Sequence, residues 1–588
     1  MIRMRSLAPM IVVWLASLGT NSAAVAAPAR LSPVRPVVSC ASLADANIDA
    51  AVGAKVKIDT AVEKPLQGTE YCQIEGSIAP HIHFELRLPM TGWTQRYLQV
   101  GCGGLCGVLN IRVEHAEECQ PVQDHALALA STDMGHQGLN MGDGTFGTDP
   151  QARIDFAYRG VHLTALVAKA LIRSYYGQLP RYAYFSGCSD GGREALMEAQ
   201  RFPSDFNGIS AGAPAMNFLV QNTFYHAWMY LANHRSDGSA ILTAAKLPAL
   251  HAAALASCDA VDGLKDGQIT DPRACHFDPS EAVCKPGQAV DDTCLTAEEA
   301  DVARKYYNGP RDAEGHRFTV GGPQVGSELA WRGVFVPDSA KGEVMSQGAA
   351  LGTLRYLAFE QNPDPRYSLK DFHFDRATFR RLEALHPLYD ATDTELSGFE
   401  AGGGKLLLWH GWSDPHISPI NTIAYYGAVR SRLGAARTDS FLRLFLFPGM
   451  YHCMGGDGTG AFDMLTPLMS WVENGTAPVR IIAGHADSPL PMGPPAGSKP
   501  PRGAGPPPAD MPPPADMPPP RLTRTRPVFA YPMVAKYSGS GSVDDANSFV
   551  AVSALTPEPA AYAWEGARFM TPGFLKTCHV ADGKLSCQ

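Results

Sequence analysis

The residues Gly187-Cys188-Ser189-Asp190-Gly191 place a hydroxyl between two glycines at the spacing Gly-x-Ser-x-Gly. A serine carried on so sharp a turn leaves no room for side chains two residues to either side, and the turn pushes the hydroxyl into solvent as a nucleophile. In a chain with 57 glycines the pentapeptide alone is weak evidence. A serine hydroxyl is also a poor nucleophile at neutral pH, so a histidine must take its proton and a carboxylate must orient that histidine. Two downstream stretches supply them, His410-Gly-Trp-Ser-Asp414-Pro and Pro448-Gly-Met-Tyr-His452-Cys453. His410 and His416 compete with His452, and Asp190 competes with Asp414 although it adjoins the nucleophile and is badly placed to reach its base.

The order Ser189, Asp414, His452, with the acid before the histidine, is that of α/β-hydrolases and neither of the two familiar serine-protease orders. Cys188 immediately precedes Ser189 and Cys453 immediately follows His452. A bond between them would tie the nucleophile turn to the histidine loop; the alternative is two buried thiols. The oxyanion of a tetrahedral intermediate needs two N–H donors. One is the backbone N–H of Asp190. The other is expected from the glycine-rich Gly101-Cys-Gly103-Gly104-Leu-Cys-Gly107, at Gly103 or Gly104, although the same composition also makes a plain tight loop.

Positioning these groups requires strands that deliver them and helices that cover the strands. Tyr182 to Ser186 reads as a strand entering the turn, and Glu194-Ala-Leu-Met-Glu-Ala-Gln-Arg201 as the helix leaving it. His81 to Leu88 alternates apolar and polar, so the region from Val37 to Pro89 reads as antiparallel edge strands. Arg96–Val100 and Ala126–Ser131 are short apolar runs of buried strands, and Thr132-Asp-Met-Gly-His136 ends in a histidine read as structural, with contact to the site as the alternative. Tyr158–Tyr176 carries apolar residues at helical spacing and stops at Gly177, a glycine cap. Lys405–Trp409 and Phe441–Phe447 resume the sheet ahead of Asp414 and His452. Such alternation implies an α/β fold with a mainly parallel sheet. Residues 216–396 break the pattern and read as an inserted lid domain between a first core part, 27–215, and a second, 397–588. The second part contains a proline-rich insertion, 489–520, with two copies of Pro-Pro-Pro-Ala-Asp-Met, and a tail, 551–588. Repeats of that kind favour extended polyproline conformations and build no core.

The chain has 588 residues, 45% of them hydrophobic, and a formal charge of −9. That charge argues against a nucleic-acid partner, which needs a basic face. Arg3 and Arg5, an apolar run from Leu7 to Leu18 and Ala24-Val25-Ala26 form the three-part pattern of a secretory signal cleaved after Ala26, so residues 1–26 are expected to be a signal peptide; an uncleaved anchor helix is the alternative. No later stretch is apolar enough to span a membrane. An exported, secreted or periplasmic protein can pair its cysteines, and there are 13, an odd number. Cys284 with Cys294, Cys40 with Cys72 and Cys578 with Cys587 are plausible bridges, while Cys102, Cys106 and Cys119 stay ambiguous.

The motifs Gly187-Cys-Ser-Asp-Gly-Gly-Arg193, Met197-Glu-Ala-Gln-Arg-Phe-Pro203, Ala211-Gly-Ala-Pro-Ala215, His410-Gly-Trp-Ser-Asp-Pro415 and Pro448-Gly-Met-Tyr-His-Cys453 together resemble the tannase and feruloyl esterase family, from about residue 40 to residue 550. The resemblance implies an α/β-hydrolase with a lid, the triad Ser189, Asp414 and His452, and a Cys188–Cys453 bond. It implies hydrolysis of aromatic acid esters, of hydroxycinnamoyl or galloyl type, in a family that also includes a terephthalate-monoester hydrolase. In the acidic run Cys258-Asp259-Ala-Val-Asp262-Gly-Leu264-Lys-Asp266-Gly-Gln268, carboxylates and turned carbonyls are oxygen donors suited to calcium. Unaided, the run is as well read as a solvated turn. The resemblance implies a structural calcium ion held by Asp259, Asp262 and Asp266 with the carbonyls of Leu264 and Gln268, and a flanking Cys258–Cys275 bridge. The family's cysteine pair near the C-terminal Arg-Pro is missing at Arg526-Pro-Val-Phe529. Two readings compete with an esterase: a serine peptidase, which the triad order opposes, and a calcium-binding module without catalysis, which the complete triad opposes. Trp228, Trp331 and Phe359 are aromatic candidates for the substrate wall or for plain core.

Overall fold

Sequence neighbours in the apolar runs go to opposite sides of one sheet. Tyr97, Phe185, Leu406 and Leu408 join one hydrophobic core cluster, whereas Leu98, Tyr184 and Leu407 join another. Strands buried on both faces must be apolar at nearly every position, which is why these runs lack the alternation of His81–Leu88. The structure, a computed structural model, describes residues 26–66, 68–138, 142–486, 522–554, 556, 562–573 and 575–588. The signal segment, Ala26 apart, and the whole proline-rich insertion lie outside the described residues.

The strands are β1 (Val56–Leu66), β2 (Thr69–Ile78), β3 (Ile82–Pro89), β4 (Arg96–Val100), β5 (Leu127–Thr132), β6 (Tyr182–Cys188), β7 (Gly208–Gly212), β8 (Lys405–Gly411) and β9 (Leu442–Phe447). They form one mixed sheet in the order β1-β2-β3-β5-β4-β6-β7-β8-β9. β1, β2, β3 and β5 pair antiparallel, and β5 through β9 run parallel. The chain is therefore α/β, with the antiparallel strands at one edge as the alternation at His81–Leu88 predicts.

Helices α1 (Gly160–Tyr176), α2 (Asp190–Arg201) and α3 (Pro419–Leu433) pack on one face, and α4 (Leu465–Asn474) on the other. Gly177 caps α1 in the left-handed conformation at φ 74°, which a residue with a Cβ adopts only at a cost. One strand of this sheet is not legible in the sequence: β7 is five residues long and holds two glycines, too short for a pattern. Strands β4, β6, β8 and β9 deliver the candidate site residues from their carboxyl ends, where open α/β sheets place their ligands.

Between β7 and β8, residues 213–404 add no strand to this sheet. Tyr225, Leu247, Trp331 and Phe335 belong to a separate core cluster within it, but Leu354, Phe372, Phe379 and Leu388 pack into the main core. The tail is also packed: Trp564, Phe569 and Met570 enter the main core, and β15 (Cys578–Ala581) and β16 (Lys584–Cys587) form a hairpin closed by a Cys578–Cys587 bond. Between them and β9 lie a three-stranded sheet of β10 (Ala461–Phe462), β11 (Arg480–Ala486) and β12 (Leu522–Phe529), and the pair β13 (Met533–Tyr537) and β14 (Phe549–Ser553). Six disulfides are present, joining Cys40 to Cys72, Cys102 to Cys106, Cys188 to Cys453, Cys258 to Cys275, Cys284 to Cys294, and Cys578 to Cys587. Cys119 is the free thiol, buried against Met469. Among the described residues no helix is long and apolar enough to cross a membrane.

Candidate active site

Ser189 sits between β6 and α2 at φ 65° and ψ −120°, a region that costs a non-glycine residue roughly 1–3 kcal/mol. The turn is fixed from three directions: Ser189 N donates to Gly212 O, and the Ser189 carbonyl accepts from Arg193 N and Ala215 N. The glycine spacing has a direct steric cause. A Cβ on Gly187 would lie 2.5 Å from Gly191 O, and one on Gly191 would lie 3.1 Å from the backbone of Gly101 and Cys102.

His452 follows β9, and its Nδ1 lies 2.7 Å from Asp414 Oδ2. Asp414, completely buried after β8, also receives His410 Nε2 at 3.0 Å and the backbone N–H groups of His416 and Ile417. Burial by itself would raise this carboxyl's pKa. The His452 charge and the hydrogen bonds from His410 and His452 outweigh burial and hold it well below the usual carboxylate range. The competing histidines thus have assigned places. His410 is a buried prop whose Nδ1 meets Thr422 Oγ1, and His416 lies beside His452 with ring centroids 4.6 Å apart.

Ser189 and His452 line one cavity of about 1050 Å³, together with Gly103, Gly104, Asp190 and the Cys188–Cys453 bond. Asp190 contributes more than a backbone N–H. Its carboxylate is gripped by the Arg193 guanidinium at 2.7 and 2.9 Å, and Arg193 also donates to the carbonyls of Ala157 and Phe156. That bidentate pair removes Asp190 as a rival acid. The i,i+3 spacing of Asp190 and Arg193 was visible in the sequence and went unused. The glycine loop holds a Cys102–Cys106 bond, and Cys102 N donates to Glu194 of α2. Burial first, and then the Asp190 charge, push the Glu194 carboxyl well above its ordinary range. His115 lines the cavity as well; its Nε2 meets the Cys453 carbonyl at 2.8 Å, and burial pushes it down to about 4. His136 stacks on Phe146 at 3.8 Å in a structural role. Trp228, Trp331 and Phe359 do not line the cavity; Trp331 is fully buried in the inserted segment.

The acidic run is closed by the Cys258–Cys275 bond. Asp259 accepts the N–H groups of Asp266 and Gly267, Asp262 accepts from Leu264 N and Thr270 Oγ1, and Asp266 meets Arg526 at 2.6 Å. Burial raises the Asp262 carboxyl, and the charges of Asp266 and Asp259 add to that. The oxygen donors are of the hard kind calcium takes, but among the described residues Asp259, Asp262 and Asp266 do not gather their ligand atoms within 4.8 Å of one another, each being bonded to its own partners and Asp266 to Arg526.

A family model described as tannase and feruloyl esterase matches residues 66–552. The chain is 33% identical over 527 residues to an uncharacterized esterase of Xanthomonas campestris pv. campestris, spanning 82% of this chain and 84% of that protein. It is 31% identical over 544 residues to the mono(2-hydroxyethyl) terephthalate hydrolase of Piscinibacter sakaiensis, again spanning 82% of this chain and 84% of the relative. Among solved structures, feruloyl esterase B from Aspergillus oryzae matches with a TM-score of 0.70 at 26% identity, covering 87% of this chain and 99% of that one.

Proposed function

We propose, from the premise that this chain belongs to the tannase and feruloyl esterase family, that it is a secreted carboxylic ester hydrolase cleaving aromatic acid esters through a serine acyl-enzyme. Ser189 Oγ attacks the ester carbonyl carbon while His452 Nε2 takes the serine proton. Asp414, bound to Nδ1, fixes the ring's tautomer and stabilises the imidazolium. The carbonyl oxygen becomes an oxyanion facing the N–H groups of Asp190 and of Gly103 or Gly104. Collapse breaks the ester C–O bond, and His452 passes its proton to the departing alcohol. Water then enters along the same route: His452 takes one of its protons, its oxygen bonds the acyl carbon, and the acid leaves as Ser189 recovers its proton. The observation that carries the reading is the 2.7 Å contact between His452 and a buried Asp414, on a loop whose Cys453 is bonded to the residue before Ser189.

The fold reading is an α/β-hydrolase in which residues 216–396 act as a lid. Their position between the strand bearing the nucleophile and the strand bearing the acid supports it, as do the cavity residues Phe218, His226, Met345 and Thr353 that they supply. A structural calcium ion in the lid would be held by Asp259, Asp262 and Asp266 with the carbonyls of Leu264 and Gln268, and would pin the loop shape. Export through the N-terminal signal accords with six disulfides. The acyl group is of hydroxycinnamoyl type, with galloyl or terephthalate monoesters as the alternative within the same family.

The test is Ser189→Ala on methyl ferulate, methyl gallate and a terephthalate monoester, with circular dichroism to check folding. Turnover of the preferred ester is expected to fall about a millionfold. A folded variant with unchanged turnover removes Ser189 from the reaction.

A further inference from the structure

Beside His452 the cavity wall carries two more imidazoles that the reaction does not use. The ring centroids of His416 and His452 lie 4.6 Å apart, and those of His226 and His416 lie 6.3 Å apart. His226 Nδ1 is fixed by Ser346 Oγ at 2.9 Å. Among the described residues nothing hydrogen-bonds its Nε2 or either ring nitrogen of His416, and none of these three atoms is sealed off from the cavity that both residues line. His416 is anchored through its main chain, with N donating to Asp414 and O accepting from Gln221.

Burial, and after it the His452 charge, push His226 down to about 3 and His416 well below its ordinary value, so both rings are neutral. A neutral imidazole offers one N–H donor and one lone pair, the complement of a hydroxyl group, which both accepts and donates. Phe218, Met345, Ala349 and Thr353 complete this part of the wall with apolar surface suited to an aromatic ring. Three polar nitrogens left open in such a wall favour a substrate that satisfies them over one that leaves them unpaired.

We propose that His226 and His416 form a hydroxyl-recognition subsite, by which this enzyme selects aromatic esters that carry a hydroxyl group over otherwise identical esters that lack it. The proposal rests on the ester-hydrolase reading above and adds the residues that read the substrate's hydroxyl. The hydroxyl can stand on the acyl ring, as a phenol, or on the alcohol, and the experiment separates the two.

The ratio of kcat/KM is measured for methyl p-coumarate against methyl cinnamate, and for 2-hydroxyethyl cinnamate against ethyl cinnamate. Wild type, His226→Phe, His416→Phe and the hydrogen-bonding variant His226→Gln are compared. A ratio within one enzyme preparation is insensitive to the active fraction, so partial misfolding of a variant does not disturb it. In wild type the hydroxylated ester of one pair is expected to be favoured about fivefold to tenfold, the weight of one neutral hydrogen bond. His226→Phe should bring that ratio close to one and His226→Gln should retain part of it. Collapse in the coumarate pair places the hydroxyl on the acyl ring, and collapse in the hydroxyethyl pair places it on the alcohol. Wild-type ratios near one in both pairs, or ratios that the Phe variants leave unchanged, overturn the subsite while the esterase reading stands. Failure of wild type to cleave any of the four esters overturns the subsite, and failure on methyl gallate and a terephthalate monoester as well overturns the esterase reading with it.

Discussion

Cutting the bond between Cys188 and Cys453, with the double variant Cys188→Ala and Cys453→Ala, should cost both stability and rate, in amounts the geometry sets. The bond closes a loop between residues 265 apart in sequence. Releasing a loop of that length returns about 5 kcal/mol of chain entropy to the unfolded state. The rate cost has a separate origin. Cys453 is held at φ 65°, a conformation it would relax from if freed, whereas the Ser189 turn keeps its own backbone hydrogen bonds. The histidine loop has other anchors, the Asp414–His452 contact and the His115 contact to the Cys453 carbonyl at 2.8 Å, so the loop shifts without leaving the site. A displacement of about 1 Å at a reacting group costs about a hundredfold. The expected variant therefore folds, retains about one per cent of wild-type kcat on its preferred aromatic ester, and unfolds at lower urea concentration. A variant that matches wild type in both kcat and urea midpoint would refute the reasoning, since the tether would then position nothing. A variant as inactive as Ser189→Ala would refute the assignment of the secondary anchors.

Arg193→Met leaves the Asp190 carboxylate buried without its guanidinium fork and should cost about 3–5 kcal/mol in urea unfolding; a loss under about 1 kcal/mol would show the pair to be dispensable. His136→Gln tests a buried neutral imidazole. Because burial holds His136 down to about 4, the unfolded chain takes up its proton first as pH falls below about 6.5, and wild-type stability declines between there and pH 4. The variant lacks that term, so the difference in unfolding free energy should move in its favour by at most about 1.4 kcal/mol per pH unit, and parallel pH curves would rule the burial effect out. Chelation by EGTA should lower the unfolding temperature of wild type, calcium should restore it, and Asp262→Asn should blunt the response. No shift on chelation, with no calcium on elemental analysis, would remove the ion from the lid.

The legible parts of the chain were those in which one local rule has one outcome. Gly187 and Gly191 announce the turn because their backbones touch the turn's own neighbours, and the apolar runs Arg96–Val100, Lys405–Trp409 and Phe441–Phe447 announce strands because both their faces are covered. β7 was not readable, since Gly208-Ile-Ser-Ala-Gly212 owes its strand to β6 and β8 on either side rather than to any propensity of its own. The tail looked like an appendage because the aromatics that seat it, Trp564 and Phe569, have partners such as Phe379 and His386 nearly two hundred residues away in the inserted segment. Cys102 and Cys106 were ambiguous for a like reason, three cysteines within one stretch admitting several pairings until the loop's path brings two together.

The site divides along the same line. Its candidate triad was readable because Ser189, Asp414 and His452 each stand within about five residues of the end of a strand, and a strand can be recognised from a few residues. Its selectivity was not, because His226 lies in an inserted helix (His226–Ala232) whose register against the cavity depends on how residues 213–404 fold back over the sheet, and periodicity reports nothing about that. His416 stands between the two cases. It was visible as a rival base within two residues of Asp414, and what sets it apart from that role is that Asp414 Oδ2 accepts its hydrogen bond from His452 instead. Both His416 ring nitrogens are left without a hydrogen-bond partner among the described residues, on a residue that lines the cavity. On the proposed reading, Asp414 accepts its hydrogen bond from one of two neighbouring imidazoles and leaves the other for recognition, so catalysis and selectivity would both depend on the bonds that Asp414 accepts.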